Sequence, residues 1–456
     1  MAKKKEIQVE EVQNLDQNIL AQLVYQCMQE DKRVYDRVEK YILRNDPDAL
    51  IKSIKKEIAS IRRGRKFIDY YHAFDFAKKI ADIVENIETM VENSKNAAAL
   101  YKELILTDTK VYNRSDDSSG AIQMSYHEAM GGWKNSLEPL SEEEIYRDIQ
   151  ELLLCEDFGP RSVLSEKIPA SVLRKIYEEH YERYRKHVEA LQSEFDSFNE
   201  FSILHECAHY LNQPDLFIKA LELKNTITEY DLLDVAKEYR AINEASQTLE
   251  WLNKIERVQS NMTEEYFTAK IWALETLGRK REALELWKSW YETTHSPKIL
   301  KNYLERLEDA EREQAREQAL REAQKLSFSK AVHLFSTLEE KELAARYILE
   351  HHKALATPLL YGKELNALVK WLSEEYPDAA ILLLRDAVEK TLESAQSKNY
   401  PWAIRHLKKA FDIEEAHPNH SWQIASNREY VTDLLQRHGK KYRFVHLLEE
   451  SFPHLL

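Results

Sequence analysis

Apolar positions recur every three or four residues along most of the chain, the spacing that gathers them on one face of an α-helix. Between Leu50 and Ile61 the apolar positions Ile51, Ile54, Ile58 and Ile61 predict a buried stripe. After Gly64 the run Phe67, Tyr71, Phe74, Ala77, Ile80, Val84 and Ile87 continues that period for about five turns and predicts a second helix packed on the first. Asn45 and Asp46 before Pro47 read as a short stop between helices.

Three breaks interrupt the pattern. Thr107 to Gly120, containing NRSDDSSG, has turn chemistry throughout; a second break spans Gly131 to Ser141, and a third Asp157 to Pro169. They set an N-terminal helical block apart from the rest of the chain.

From about Ser197 a repeat emerges. The segments HYLNQPDLFIKALEL, EYRAINEASQTLEWL and ALETLGRKREALELW align so that Ile218, Leu249 and Leu284 are equivalent, 31 and 35 residues apart, bracketing the period of roughly 34 residues of tetratricopeptide (TPR) hairpins. In the third, Thr263 is placed to cap the first helix, and Phe267, Ile271 and Leu274 form its inner stripe. Gly278 ends it, and the partner helix buries Ala283, Leu284, Trp287 and Tyr291. A single hairpin cannot cover its own apolar face, so such units stack. Leu304 to Glu322 is dominated by charges of alternating sign and reads as a solvated helix or rigid connector. Another helical block starts at Ser329 and includes a hairpin-like stretch around Trp402, Ile404 and Leu407. The expected fold is all-α: an α-solenoid of TPR-like helical hairpins with an N-terminal helical block. Its expected divisions are 1–130 (N-terminal block with the basic segment), 141–325 (TPR-like repeats) and 329–456 (C-terminal repeat block).

Composition strengthens the helical reading. Only eight of 456 residues are glycine, too few for a large sheet whose tight turns need positive φ. All eight fall where helix ends are expected: Gly64, Gly120, Gly131, Gly132, Gly159, Gly278, Gly362 and Gly439. With 43% hydrophobic and 32% charged residues the chain has material for a core and a soluble surface. Cys27, Cys155 and Cys207 form no CxxC pair, which fits a reducing compartment without a cysteine zinc site. No apolar run approaches membrane-spanning length, and MAKKK is followed by polar IQVEEVQ, so a cytoplasmic location is expected. A net charge of −14 argues against a general nucleic-acid coat but leaves room for a local basic patch.

The segments IKSIKKEIASIRRGRKFIDYYHAFDFAKKI, NRSDDSSGAI, YPWAIRHLKKAF and LLQRHGKKYRFVHLLEES resemble an uncharacterised bacterial helical-repeat family. That family is similar to the repeat regions that follow SWIM-type zinc fingers. The resemblance implies a TPR-like α fold and bacterial origin, and it carries no activity or catalytic residues. A SWIM finger needs a CxC pair, which this chain lacks, so zinc-finger nucleic-acid binding is not implied.

Two constellations could carry chemistry. His205-Glu206-Cys207-Ala208-His209 is a formal HExxH. On a helix His205 and His209 share a face, where both could hold Zn²⁺ while Glu206 activates a bound water; Glu229 follows at a distance suited to a third ligand. Against this, the motif lies in the first helix of a repeat hairpin, and no strand is at hand to bind a peptide substrate. If the two imidazoles point into different packing environments, the zinc reading falls.

The other is Lys52, Lys55, Lys56, Arg62, Arg63, Arg65 and Lys66. These seven cations face one anion, Glu57, for a local +6 over Leu50 to Lys66, and Tyr70, Tyr71, His72 and Phe74 follow. Cations beside aromatics can grip phosphates and stack bases, or meet an acidic protein surface, or remain solvated. The Asp116-Asp117-Ser118-Ser119-Gly120 loop lacks the alternating carboxylates of an EF-hand and reads as a turn and helix cap. His351, His352 and the scattered Trp272, Trp287, Trp290, Trp371, Trp402 and Trp422 suggest core positions and no cofactor box.

These observations lead to an expected interaction scaffold without catalytic residues or cofactor, which binds a partner protein or peptide. Nucleic-acid association through 52–66 and a zinc metalloprotease built on His205, Glu206, His209 and Glu229 are the alternatives. Oligomeric state is not specified by the sequence.

Overall fold

The structure, a computed structural model, describes residues 9–154, 160–190, 194–351 and 362–453. Expectations on Cys155, Gly159 and His352 lie outside them. The described chain is helical, and its one strand-like contact is an isolated bridge between Ile68 and Ser115. Helices pack chiefly on their sequence neighbours. Two compact units, Met1–Val258 and Gln259–Leu456, divide the chain.

This division differs from the three segments expected, for a reason visible in the first unit. One apolar core there includes Ile54, Ile80, Leu104, Trp133, Ile149, Ile176 and Leu204, so the N-terminal block and the start of the expected array share an interior. Gly131 and Gly132 do not end a helix. They lie inside Ala121–Asn135, where a Cβ on Gly132 would run into the Tyr101 ring. A close approach between two helices, rather than a turn, calls for that glycine.

The first stripe lies on Pro47–Arg63, with Ile54, Ile58 and Ile61 buried as the pattern predicts; Ile51 is only partly buried and Leu50 is buried instead. Asp46 caps this helix by accepting from the Ala49 amide at 3.1 Å. The second stripe is shorter than expected. On Tyr70–Met90 burial begins at Ala73 and continues through Ala77, Ile80, Val84 and Ile87. Phe67, Tyr71 and Phe74 are instead 61%, 86% and 59% exposed.

The hairpins share one turn. In the first unit Glu194–Tyr210 is followed by Pro214–Leu221, and Glu229–Ala241 by Ala245–Leu252. The reversals occur at Asn212 (φ 53°) and Asn243 (φ 62°). In each, the next amide reaches back to a carbonyl in the last helical turn: Gln213 to Ala208 at 3.0 Å and Glu244 to Tyr239 at 2.9 Å. This left-handed cap satisfies carbonyls that the ending helix leaves open.

In the second unit Thr263–Thr276 and Lys280–Thr294 turn at Gly278 (φ 73°), with Arg279 bonding Leu274 at 2.9 Å. Asn212, Asn243 and Gly278 stand 31 and 35 residues apart, the offsets that relate Ile218, Leu249 and Leu284. Phe328–Thr337 and Lys341–His351 form a further hairpin with the same cap, at Glu339 (φ 59°), with Glu340 bonding Phe335 at 2.9 Å. Thr263 is not a cap: it is the first helical residue, and its hydroxyl donates to the Gln259 carbonyl. The C-terminal core gathers Leu392, Leu407, Leu434, Phe444 and Leu448, while Trp402, expected in a core, is exposed beneath Arg405.

Candidate interaction surfaces

The basic segment is presented on a fixed mount. Lys52, Lys56 and Arg63 lie opposite the buried stripe of Pro47–Arg63 and Lys55 and Arg62 on its flanks; all five are exposed, as are Arg65 and Lys66 in the following loop. That loop is held by the NRSDDSSG turn. Ile68 donates to the Arg114 carbonyl and accepts from the Asp116 amide, each at 2.8 Å. Arg114 donates to the carbonyls of Lys66 at 2.9 Å and Ile61 at 3.3 Å, with its guanidinium over the Phe76 ring. Asp117 caps Ala121–Asn135 by accepting from the amides of Ile122 and Gln123. Two motifs remote in sequence thus become one structure.

The single anion of the segment is already occupied: Glu57 accepts from Lys40 at 2.8 Å. None of the seven cations forms an ion pair among the described residues. Arg62 reaches only the Glu103 carbonyl at 3.4 Å, and Arg63 the Ala59 carbonyl of its own helix at 3.1 Å. Unopposed positive charge on a rigid helix face attracts anions, and its desolvation on binding is compensated only by an anionic partner.

His205 and His209 do share one environment. Their common neighbour is Glu238, not the expected Glu229. His205 Nε2 lies 3.0 Å from one Glu238 oxygen and His209 Nδ1 2.8 Å from the other. Glu229 opens Glu229–Ala241 in its first turn, whereas Glu238 lies near the other end of that helix and is buried. Sequence separation favoured Glu229, but helix packing selects the residue. Burial alone would raise the Glu238 carboxyl; the two imidazole hydrogen bonds outweigh it and hold it below its ordinary value. The His205 ring stacks on Phe217 with centroids 4.0 Å apart. Glu206, the expected base, is buried. Among the described residues no group of three or more His, Cys, Asp or Glu is placed to hold a metal ion. The arrangement as it stands fastens one hairpin to the next.

The second unit holds a groove that the sequence did not single out. Its volume is about 310 Å³, and Lys280–Thr294, Pro297–Leu304 and Asp309–Ala323 line it. Leu284, Tyr291, Leu300, Leu307, Ala315 and Ala319 supply its apolar surface. The charge-rich stretch read as a solvated connector therefore has a packed side, with Ala319 and Ala323 buried. Small residues every fourth position were the available signal, and the surrounding charges obscured it.

The margin of the groove is acidic. Glu285 and Glu292 are balanced loosely by Arg281 and Lys288, each pair at 3.8 Å, while Glu311 and Glu322 also line it and meet no cation among the described residues. Glu322 accepts a hydrogen bond from Gln318 at 3.0 Å. The buried Tyr291 hydroxyl has no hydrogen-bond partner among the described residues. Burial first, and then Glu322, push its pKa up to about 12, so it stays protonated.

No helix among the described residues is long and apolar enough to cross a membrane. No curated protein matches the chain in sequence. A family model described as a family of unknown function (DUF6880) matches residues 2–199 and 161–447, and together these stretches span nearly all of the chain, which therefore belongs to that family.

Proposed function

We propose that the protein is a non-enzymatic interaction scaffold, a TPR-like array of helical hairpins that binds a partner protein through the groove of its second unit. The observation that carries this reading is the groove's make-up: a preformed channel of mixed apolar and polar lining, with an acidic margin and an unpaired buried hydroxyl. Such a channel suits a helix or extended segment bearing apolar side chains and one or more Lys or Arg. Lysine or arginine would meet Glu311 and Glu322, and an acceptor reaching the Tyr291 hydroxyl would satisfy its O–H. The recurring left-handed caps support the scaffold reading, because they fix the angle between paired helices and so preform the binding face.

The test is capture of partners from the native host on immobilised chain, read by mass spectrometry, beside a Glu311→Lys, Glu322→Lys variant of normal helicity. A protein recovered by the native chain and lost by the variant supports the reading. No recovered protein, or one retained equally by both, overturns it.

A further inference from the structure

We propose that the basic segment and the aromatic residues that follow it form a binding site for single-stranded nucleic acid. The site is separate from the groove and does not depend on it.

Lys52, Lys55, Lys56 and Arg63 form a row along one face of Pro47–Arg63 that runs about 16 Å. Arg62, Arg65 and Lys66 continue it around the C-terminal end of the helix. Among the described residues the seven cations carry no ion pair, and the only acidic residue among them is neutralised by Lys40. On the next helix exposed Lys78 and Lys79 outnumber exposed Asp75. Asp69 is the nearest carboxylate in sequence, and it is engaged by His72 at 2.7 Å.

Charge alone would suit any polyanion; the aromatic residues choose among them. Phe67, Tyr71 and Phe74 occupy positions where the helical pattern predicts burial, yet these three and Tyr70 are exposed. Tyr70 and Tyr71 meet edge to face with ring centroids 5.7 Å apart. Exposed rings of this size lose free energy in water unless something covers them. A base exposes an aromatic face that fits a ring, and its phosphate fits the neighbouring cation, so one ligand satisfies both. A duplex hides its base faces in the stack, and an acidic surface without aromatic side chains would meet the cations but not the rings. The Arg114 anchor holds the loop between cations and rings, which lowers the ordering cost of binding.

The experiment is fluorescence anisotropy with the full chain and labelled oligouridylate, oligothymidylate, a mixed-sequence duplex, and polyglutamate, each over a range of salt. Either single strand should bind more tightly than duplex and polyglutamate. Preference for uridylate assigns RNA, preference for thymidylate assigns DNA, and equality assigns the shared chemistry. Arg62→Ala, Arg63→Ala and Arg65→Ala together should weaken binding and reduce the salt slope by about 2. Phe67→Ala with Tyr71→Ala should weaken it roughly ten-fold or more with the slope unchanged. All these side chains are exposed, so the variants should keep the native circular dichroism and melting temperature. Absence of binding in dilute salt, equal binding of duplex or polyglutamate, or affinity unmoved by loss of the two rings would each overturn the proposal.

Discussion

Gly132 meets the ring of Tyr101 so closely that a single added methyl group would run into it. Gly131, its neighbour on the same helix, has nothing within 4 Å of where a Cβ would stand. Both are helical, so alanine gains about 1 kcal/mol of helix propensity at either position. At Gly132 that gain is opposed by overpacking, which costs about 1–3 kcal/mol. Gly131→Ala should therefore stabilise the protein and Gly132→Ala destabilise it, as read from paired urea denaturation curves. Equal effects would show that the helices are not in this close contact.

The hairpin caps offer a second comparison. Gly278 has a φ of 73° and open space around it, so Gly278→Ala is penalised by the backbone alone, on the order of 1 kcal/mol. Asn243→Gly relieves the milder strain of asparagine at φ 62° and should raise stability by a few tenths of a kcal/mol. Thermal melts of the two variants should move in opposite directions.

Asn427 is fully buried and central to the C-terminal region. Its side chain donates to the Ala410 carbonyl at 2.8 Å and accepts from Arg385 Nη2 at 2.7 Å. Arg385 is itself buried, its guanidinium over the Tyr430 ring, and burial lowers its pKa. Asn427→Ala would remove a buried partner from a cation, at a cost of about 3 kcal/mol. A drop of that size in the chemical denaturation of the full chain is the expected result.

Glu238 links pH to stability. Its folded pKa is below the ordinary 4.5, so the stabilisation it contributes is present above about that value and is lost as pH falls through the folded one. Glu238→Gln should lower stability at neutral pH by about 1–2 kcal/mol and flatten the decline below pH 4.5. If the two histidines serve only this clamp, chain purified without chelator contains no stoichiometric zinc. One zinc per chain, lost in His205→Ala, would restore the hydrolase reading.

Much of this was legible in local pattern. The period of Leu50 to Ile61 located a helix and its buried face, and the offsets of Ile218, Leu249 and Leu284 matched those of the turns at Asn212, Asn243 and Gly278. The corresponding turn at Glu339 was silent, because glutamate gives no sign of a left-handed conformation that the packed hairpin imposes on it. The aromatic run misled in the opposite sense. Phe67, Tyr71 and Phe74 keep helical spacing, but no helix among the described residues covers them.

The sequence by itself determined that the chain is helical, where a few of its helices and hairpin turns fall, and which segments carry charge. Those properties depend on residues within a few turns of one another, where spacing, capping and backbone freedom act directly. Tertiary structure decided which carboxylate meets His205 and His209, why Gly132 is glycine, that Arg114 anchors the basic loop, and that helices 280–323 leave a groove between them. Each of these joins residues distant in the chain, and packing alone selects such partners from many that spacing allows.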